Sequence, residues 1–265
     1  MNWKQFYELC MVRVKFGFVS QANDSRMGYL WWGIEPIIQI AAYYLVFGVL
    51  LISFKGGNPV YSGTSYVGFL VCGVVPWTAF SRAANHSVTS ISRSGWLIKN
   101  IDIHKIYFPL TSFIQDYIKS SVMFVLMMLL VILIGFEPTL SWLYMPIIFV
   151  VQGIFTLSIC IWLASITPFQ PDLKLITPLV FQVMMFTSGI FFDRSSISPS
   201  LQDIFFMNPL ALLIDTYRII LLGADSGGND IVSNLLRLFI ISIVLLVSAC
   251  WFLSRKNDAY SRALK

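Results

Sequence analysis

Charge is scarce in this chain: Asp, Glu, Lys and Arg make up 12% of its 265 residues, about half the share a soluble domain carries. So little charge cannot dress a large water-facing surface, which excludes a conventional soluble globule. Histidine is nearly missing as well, with only His86 and His104, far apart in the chain. No His-Glu-x-x-His motif occurs, and a zinc site built from these two is not readable; they are expected to be solvated or capping residues. No Gly-x-x-x-x-Gly-Lys-Ser/Thr loop occurs either, so the chain is not expected to hydrolyse nucleotide by that route. Cys10, Cys72, Cys160 and Cys250 stand alone, without metal-ligand spacing or a disulfide framework, and read as small core hydrophobes. No internal repeat or low-complexity tract is present, and the first residues, Met-Asn-Trp-Lys-Gln-Phe-Tyr-Glu, lack the pattern of a removable signal peptide.

What is present is apolar. Hydrophobic residues reach 57% and the mean hydropathy is +0.76. A helix needs about 20 mainly apolar residues to cross the hydrocarbon of a bilayer, where only a helix can satisfy its own backbone. Runs approaching that standard are Ile34 to Phe54, Tyr66 to Asn85, Tyr117 to Phe136, Leu140 to Thr167, Leu175 to Phe192 and Ile231 to Leu253. The expectation is an all-α polytopic membrane protein with six transmembrane helices. It forms a single domain: residues 1–30 make an interface helix, 31–255 a six-span bundle and 256–265 a tail.

Lys and Arg gather on one side of these spans, at Lys4, Arg13, Lys15 and Arg26, at Arg82, Arg93, Lys99, Lys105 and Lys119, at Lys174, and at Arg255, Lys256, Arg262 and Lys265. The other side holds Lys55, Arg194, Arg218 and Arg237, and its loop from Asp193 to Asp230 is acidic. Short cytoplasmic segments retain basic residues, so both termini are expected in the cytoplasm. The net charge of +5 is then an orientation signal. It forms no soluble basic patch of the kind that binds nucleic acid.

The segments between spans carry three further expectations. Trp3, Phe6, Cys10, Val14 and Phe18 recur at helical spacing before the first span and predict an amphipathic helix in the membrane interface, as an anchor or a substrate-handling element. The stretch from Ser92 to Pro109 mixes large apolar residues with charge and suits partner docking or a headgroup-bound connector. In the outer loop, Ile204 to Ile214 is too short to cross; Asn208-Pro209 and Gly223 predict two short re-entrant helices between spans five and six.

Charge inside the spans is a functional clue because it is costly there. Glu35 sits near the mouth of the first span, free to pair with Arg26, to line an entrance or to snorkel, while Asp116 and Lys119 are spaced to pair on one helical face. No series of buried acids suggests proton coupling. Aromatics reach 15%, and two stripes fall on helical faces: Trp32, Gln39, Tyr43 and Phe47, then Phe181, Met185, Ser188 and Phe192. Flat apolar faces edged with polar groups suit sliding sugar rings, and they equally suit packing.

Ser25-Arg-Met-Gly-Tyr-Leu-Trp-Trp-Gly-Ile-Glu-Pro36, Gly73-Val-Val-Pro-Trp-Thr-Ala-Phe80, Leu97-Ile-Lys-Asn-Ile with Lys105-Ile-Tyr-Phe-Pro109, and Asn208-Pro-Leu with Tyr217-Arg-Ile-Ile-Leu-Leu-Gly223 occur in this order. Together they resemble the type-2 ABC permeases that export polysaccharides, most of all the O-antigen permeases, with capsule and teichoic-acid relatives. The resemblance implies a homodimer in the bacterial inner membrane, bound to two ATPase subunits that hold the ATP and magnesium, with no catalytic residue, metal or cofactor in this chain. The cargo implied is a lipid-linked glycan. It also implies a coupling segment at Leu97, Lys99, Asn100, Ile101, Asp102, His104 and Lys105. Lipid-diphosphate contacts are expected at Arg13, Lys15 and Arg26, and a glycan path along the two aromatic stripes. An exporter of drugs or simple lipids would share this topology. A membrane-embedded transferase would instead need acid or histidine pairs facing one cavity.

Overall fold

The structure is a computed structural model, described over residues 3–23, 28–50, 63–100, 103–192, 207–223, 230–256 and 259–260. All regular structure among the described residues is helical: α1 (Trp3–Asn23), α2 (Trp31–Tyr43), α3 (Gly63–Val88), α4 (Gly95–Asn100), α5 (Tyr107–Leu133), α6 (Met145–Ile166), α7 (Leu173–Thr187), α8 (Pro209–Leu222) and α9 (Ile231–Arg255). A π-helical stretch, Tyr44–Leu50, prolongs α2, and 3-10 turns precede α2, α4 and α6.

Among the described residues, four helical stretches are long and apolar enough to cross a membrane: Tyr66–Ile98, Tyr107–Leu133, Leu140–Ile166 and Ile231–Arg255. The two other expected spans differ. The first is α2 with its π-helical extension, and the rest of its run lies outside the described residues. The fifth, α7, has only 15 residues, which at about 1.5 Å per residue falls short of about 30 Å of hydrocarbon. It stops at Thr187 because Gly189 turns the chain with φ of 72°. The following carbonyls bond to Arg218 rather than to a next helical turn.

Helix α3 is the central post. Of its apolar span, 83% is buried, against 22% for α9, whose outer face shows Leu236, Ile240, Val244 and Val247. Water would not tolerate that face, and lipid does. Close approach to α3 depends on Gly73, where an added Cβ would sit 3.1 Å from Arg218 Nη2 and 3.2 Å from Ile190 Cγ2. Helices α6 and α9 pack side by side through Ser158, which donates to the Ser242 carbonyl at 3.1 Å, and Trp162, which donates to Ser248 Oγ at 3.2 Å. Small hydroxyl residues bonding across an interface hold helices together where hydrophobicity alone drives nothing.

The bundle has two unlike poles. At one, Cys10, Ile91, Ile103, Phe108, Ala164, Leu253 and Tyr260 share a buried cluster, and Tyr260 donates to the Ser165 carbonyl at 3.1 Å. Both ends of the described chain therefore meet at this terminal pole. At the other, Ser141 donates to the Ile220 carbonyl at 2.9 Å, and Tyr66 to that of Phe191 at 3.4 Å.

Helix α1 departs from a simple amphipathic surface helix. Its expected apolar line faces protein: Cys10 and Val14 are buried and Phe6 meets the Tyr107 ring. Tyr107 donates to the Leu9 carbonyl and Gln115 to that of Arg13, each at 3.1 Å, fixing α1 on α5. The outward face mixes Tyr7, Val12, Phe16 and Val19 with Lys4, Glu8 and Lys15, as suits a headgroup layer. In the outer loop, Asn208 caps α8 by accepting from Leu210 N at 3.0 Å, Pro209 occupies the first turn and Gly223 closes it in the left-handed region. The part of the expected apolar piece that begins at Ile204, before the Asn208-Pro209 break, falls largely outside the described residues.

Candidate functional site

The terminal pole is the first region to consider, because α4 sits there on the end of α3. The chain turns from α3 into α4 through hydrogen bonds from Arg93 N to the Thr89 carbonyl and Ser94 N to that of Ile91, so the connection is hydrogen-bonded throughout. Helix α4 is anchored by buried Ile98 and half-buried Leu97, while Trp96 is 76% exposed and Asn100 faces out. His104 is exposed and Lys105 is buried. Lys99 lies in α4, and Ile101 and Asp102 fall outside the described residues. The expected docking segment thus splits into an inward anchor and an outward edge led by Trp96, a residue the sequence reading did not single out.

Of the three expected diphosphate contacts, Arg13 and Lys15 are described, and they do not share a pocket. Arg13 points into the α1–α5 seam, donating to Ser94 Oγ at 3.3 Å with its guanidinium 5.5 Å and 5.3 Å from the Tyr107 and Phe108 ring centres. Lys15 is exposed, and Arg26 lies outside the described residues. Next to Arg13, burial pushes the Cys10 thiol up, and the Arg13 charge pulls it part of the way back.

A charged seam where α2, α3 and α5 meet was only half visible in the sequence. Glu35 pairs with Arg82 at 2.7 Å. Asp116, 2% exposed, accepts from His86 Nδ1 at 2.9 Å and lies 3.3 Å from Lys119 Nζ. The ammonium of Lys119 also stands 5.9 Å from the centre of the Trp32 ring. Glu35 takes its partner from α3, Arg82, where Arg26 was the pairing expected. Asp116 and Lys119 pair on one helical face as their spacing suggested, and His86, half exposed as a solvated residue would be, also reaches the buried acid and makes the pair a three-residue cluster. The spacing signal was there, since Arg82 and His86 are four apart on one helix and Asp116 and Lys119 three apart on another. An acid–histidine contact is what a membrane-embedded transferase would need, yet each acid on this seam already has a basic partner. The arrangement compensates charge.

The two aromatic stripes meet. Tyr43 Oη lies 3.5 Å from Met185 Sδ, and Phe191 joins the helices by stacking on Phe47 at 4.2 Å and edging Tyr43 at 5.1 Å. Phe181 packs on Phe80 and Trp77 of α3, and Gln39 accepts from Thr78 at 3.0 Å. Ser188 accepts from Asn208 at 3.2 Å and Phe192 is half-buried. Trp32 stands apart, against Phe18 of α1 at 5.5 Å. Most of the stripe residues thus line one seam against α3, with Trp32 toward the terminal pole.

Below that seam lies a buried polar relay that no sequence motif announced: Tyr217 donates to Gln152 Oε1 at 2.7 Å, and Gln152 Nε2 donates to the Pro76 carbonyl at 2.9 Å. Arg218 beside it, one of the few bases expected on the outer side of the spans, is also buried and donates to the Gly189 and Ile190 carbonyls at 2.8 and 3.0 Å. Among the described residues, no three His, Cys, Asp or Glu side chains cluster closely enough to hold a metal ion.

Comparison with known proteins gives this arrangement a context. Residues 8–222 match the family described as ABC-2 type transporter. The O-antigen export system permease protein RfbA of Klebsiella pneumoniae is 25% identical over 92% of this chain and 91% of its own length. The polysialic acid transport protein KpsM of Escherichia coli is 23% identical over 93% and 90%, and the inner membrane transport permease YadH of Escherichia coli K12 is 22% identical over 84% and 87%.

Proposed function

Because this chain belongs to the ABC-2 type transporter family, we propose that it is the membrane-spanning subunit of an exporter that moves a lipid-linked, O-antigen-like polysaccharide out across the bacterial inner membrane. The observation that carries this reading is similarity running through nearly the whole chain to permeases named for O-antigen export and polysialic acid transport. Two copies of the chain and two ATPase subunits make the working unit, and ATP and magnesium belong to the ATPases. Six spans are proposed, with α2 and α7 completing the four long ones, re-entrant helices in the outer loop and the terminal pole in the cytoplasm.

The mechanism is mechanical. Closure of the ATPases pushes the outward edge of α4, and the stretch from Tyr66 to Ile98 carries the push along α3. Helix α3 bears on the aromatic seam of α2 and α7 through Trp77, Phe80 and Thr78. A shift of α3 would therefore part the two stripes and present ring faces to the sugar chain. The lipid diphosphate is proposed to arrive at the terminal pole, where Lys15 is exposed and Arg13 close to the surface; Arg26 is the third proposed contact.

Deleting the gene from its host tests the reading. Surface polysaccharide should disappear while lipid-linked glycan accumulates on the cytoplasmic leaflet, measured by surface antibody staining and lipid extraction. Normal surface polymer with altered tolerance to drugs would favour the simple-substrate exporter instead.

A further inference from the structure

At the terminal pole, between the start of α5 and the last turns of α9, lies a cavity of about 150 Å³ lined by His104, Lys105, Ile106, Cys250, Leu253 and Ser254. Lys105 is only 7% exposed, so its stem is enclosed, while its ammonium is not among the side-chain nitrogens sealed from solvent and has no ion pair or hydrogen bond among the described residues. An ammonium carries three donors and no acceptor, so one that opens on a cavity without a protein partner is placed to receive an anion. The cavity supplies the room, since a water occupies about 30 Å³ and a tetrahedral oxyanion fits where a few waters would. Among the described residues no Asp or Glu lines it, and the Ser254 hydroxyl and His104 ring add donors. Ile106, Leu253 and Cys250 form the remaining, apolar wall.

We infer that this cavity binds the phosphate of an anionic lipid headgroup. The approach is through lipid: the neighbouring turns of α9 show Val247 and Trp251 at the surface, 63% and 60% exposed. An exposed Trp beside a cationic pocket is the pattern of a helix end at headgroup level, and basic pockets between spanning helices hold anionic headgroups. Lys105 is thereby assigned to lipid and not to the ATPase-facing edge. The inference does not depend on what the exporter carries.

The test is native mass spectrometry of the full-length chain in detergent, titrated with phosphatidylglycerol or with phosphatidylcholine of the same acyl chains. Phosphatidylglycerol should bind about ten-fold more tightly, a difference of about 1.4 kcal/mol. Lys105→Met should erase the preference and Lys105→Arg retain it. Should Lys105→Met fold poorly, Ser254→Glu at an exposed position places a carboxylate beside the cavity and should erase the preference as well. Millimolar inorganic phosphate separates the sources. Displacement of the lipid means that the free anion suffices; a preference that survives it means that the headgroup ester is required. Equal binding of the two lipids, or an unchanged preference in Lys105→Met and Ser254→Glu, overturns the inference. Loss of a co-purifying protein from these variants with lipid binding intact overturns it in favour of protein docking.

Discussion

Asp116 shows how a single carboxylate can be held inside a membrane bundle. It lies on the buried side of α5, and its two oxygens are shared between a half-exposed imidazole and a buried ammonium. Removing one member of such a cluster strands the others, whereas removing a matched pair need not. Asp116→Asn should therefore destabilise the protein by about 3 kcal/mol, and adding Lys119→Met should recover a large part of that loss. Thermal unfolding of the single and double variants in detergent measures the coupling; purely additive losses would mean that Asp116 and Lys119 do not act as a pair. Cys10 offers a second residue-level check. Burial raises its thiol and the Arg13 charge lowers it, with burial the larger influence. Less thiolate is then present at neutral pH than for a free cysteine, so maleimide labelling should be slow and should keep accelerating with pH after an ordinary thiol has levelled off. A variant retaining only Cys10 makes the rate readable, and a plateau at or below the ordinary thiol range would contradict the sign. Arg13→Gln, which removes the lowering influence, should move the profile to still higher pH.

Among the elements, α4 is the one proposed to connect a moving partner to the spans. Its inward side is buried through Ile98, so replacing that residue would damage the fold and say little about docking. Trp96 faces outward at 76% exposure, and large exposed aromatics are the side chains on which interfaces concentrate binding energy. Trp96→Glu should leave unfolding within about 0.5 kcal/mol of the parent and cut recovery of the ATPase subunit in a pull-down by ten-fold or more, at roughly 1.4 kcal/mol per factor of ten. Equal recovery would move the docking surface elsewhere. Elements also show what the sequence could and could not reveal. Apolar runs located the four long spanning helices among the described residues, and Asn208, Pro209 and Gly223 marked both ends of α8 because caps act on their own backbone. The short length of α7 was hidden, because it is enforced by Arg218, some thirty residues further along, which takes the carbonyls of Gly189 and Ile190. The Glu35–Arg82 pair and the Gln152–Tyr217 relay were hidden for the same reason: each joins two helices, and which helices are neighbours is decided by packing.

The whole molecule is polar in the directional sense, with its two poles built differently. The terminal pole gathers α1, α4, the start of α5 and the ends of α6 and α9, together with Arg13, Arg93, Lys105, Arg255 and Lys256. The opposite pole is closed by hydrogen bonds of Ser141, Tyr66 and Arg218 to backbone carbonyls. Basic residues are retained on the cytoplasmic side of short segments, so the bundle should insert with the terminal pole inward. Two single-cysteine variants on a background without native cysteines test this insertion: Trp96→Cys at the terminal pole, and Glu137→Cys, exposed in the turn between α5 and α6. A maleimide too polar to cross the membrane should label position 137 in spheroplasts and position 96 only in inverted vesicles. Labelling of both from one side would mean that the poles do not face opposite compartments. Labelling with the sides exchanged would reverse the insertion, place α4 away from any cytoplasmic ATPase and remove the basis for the proposed coupling. The expected pattern would put the partner, the push on α4 and both chain ends in the compartment that holds the ATP.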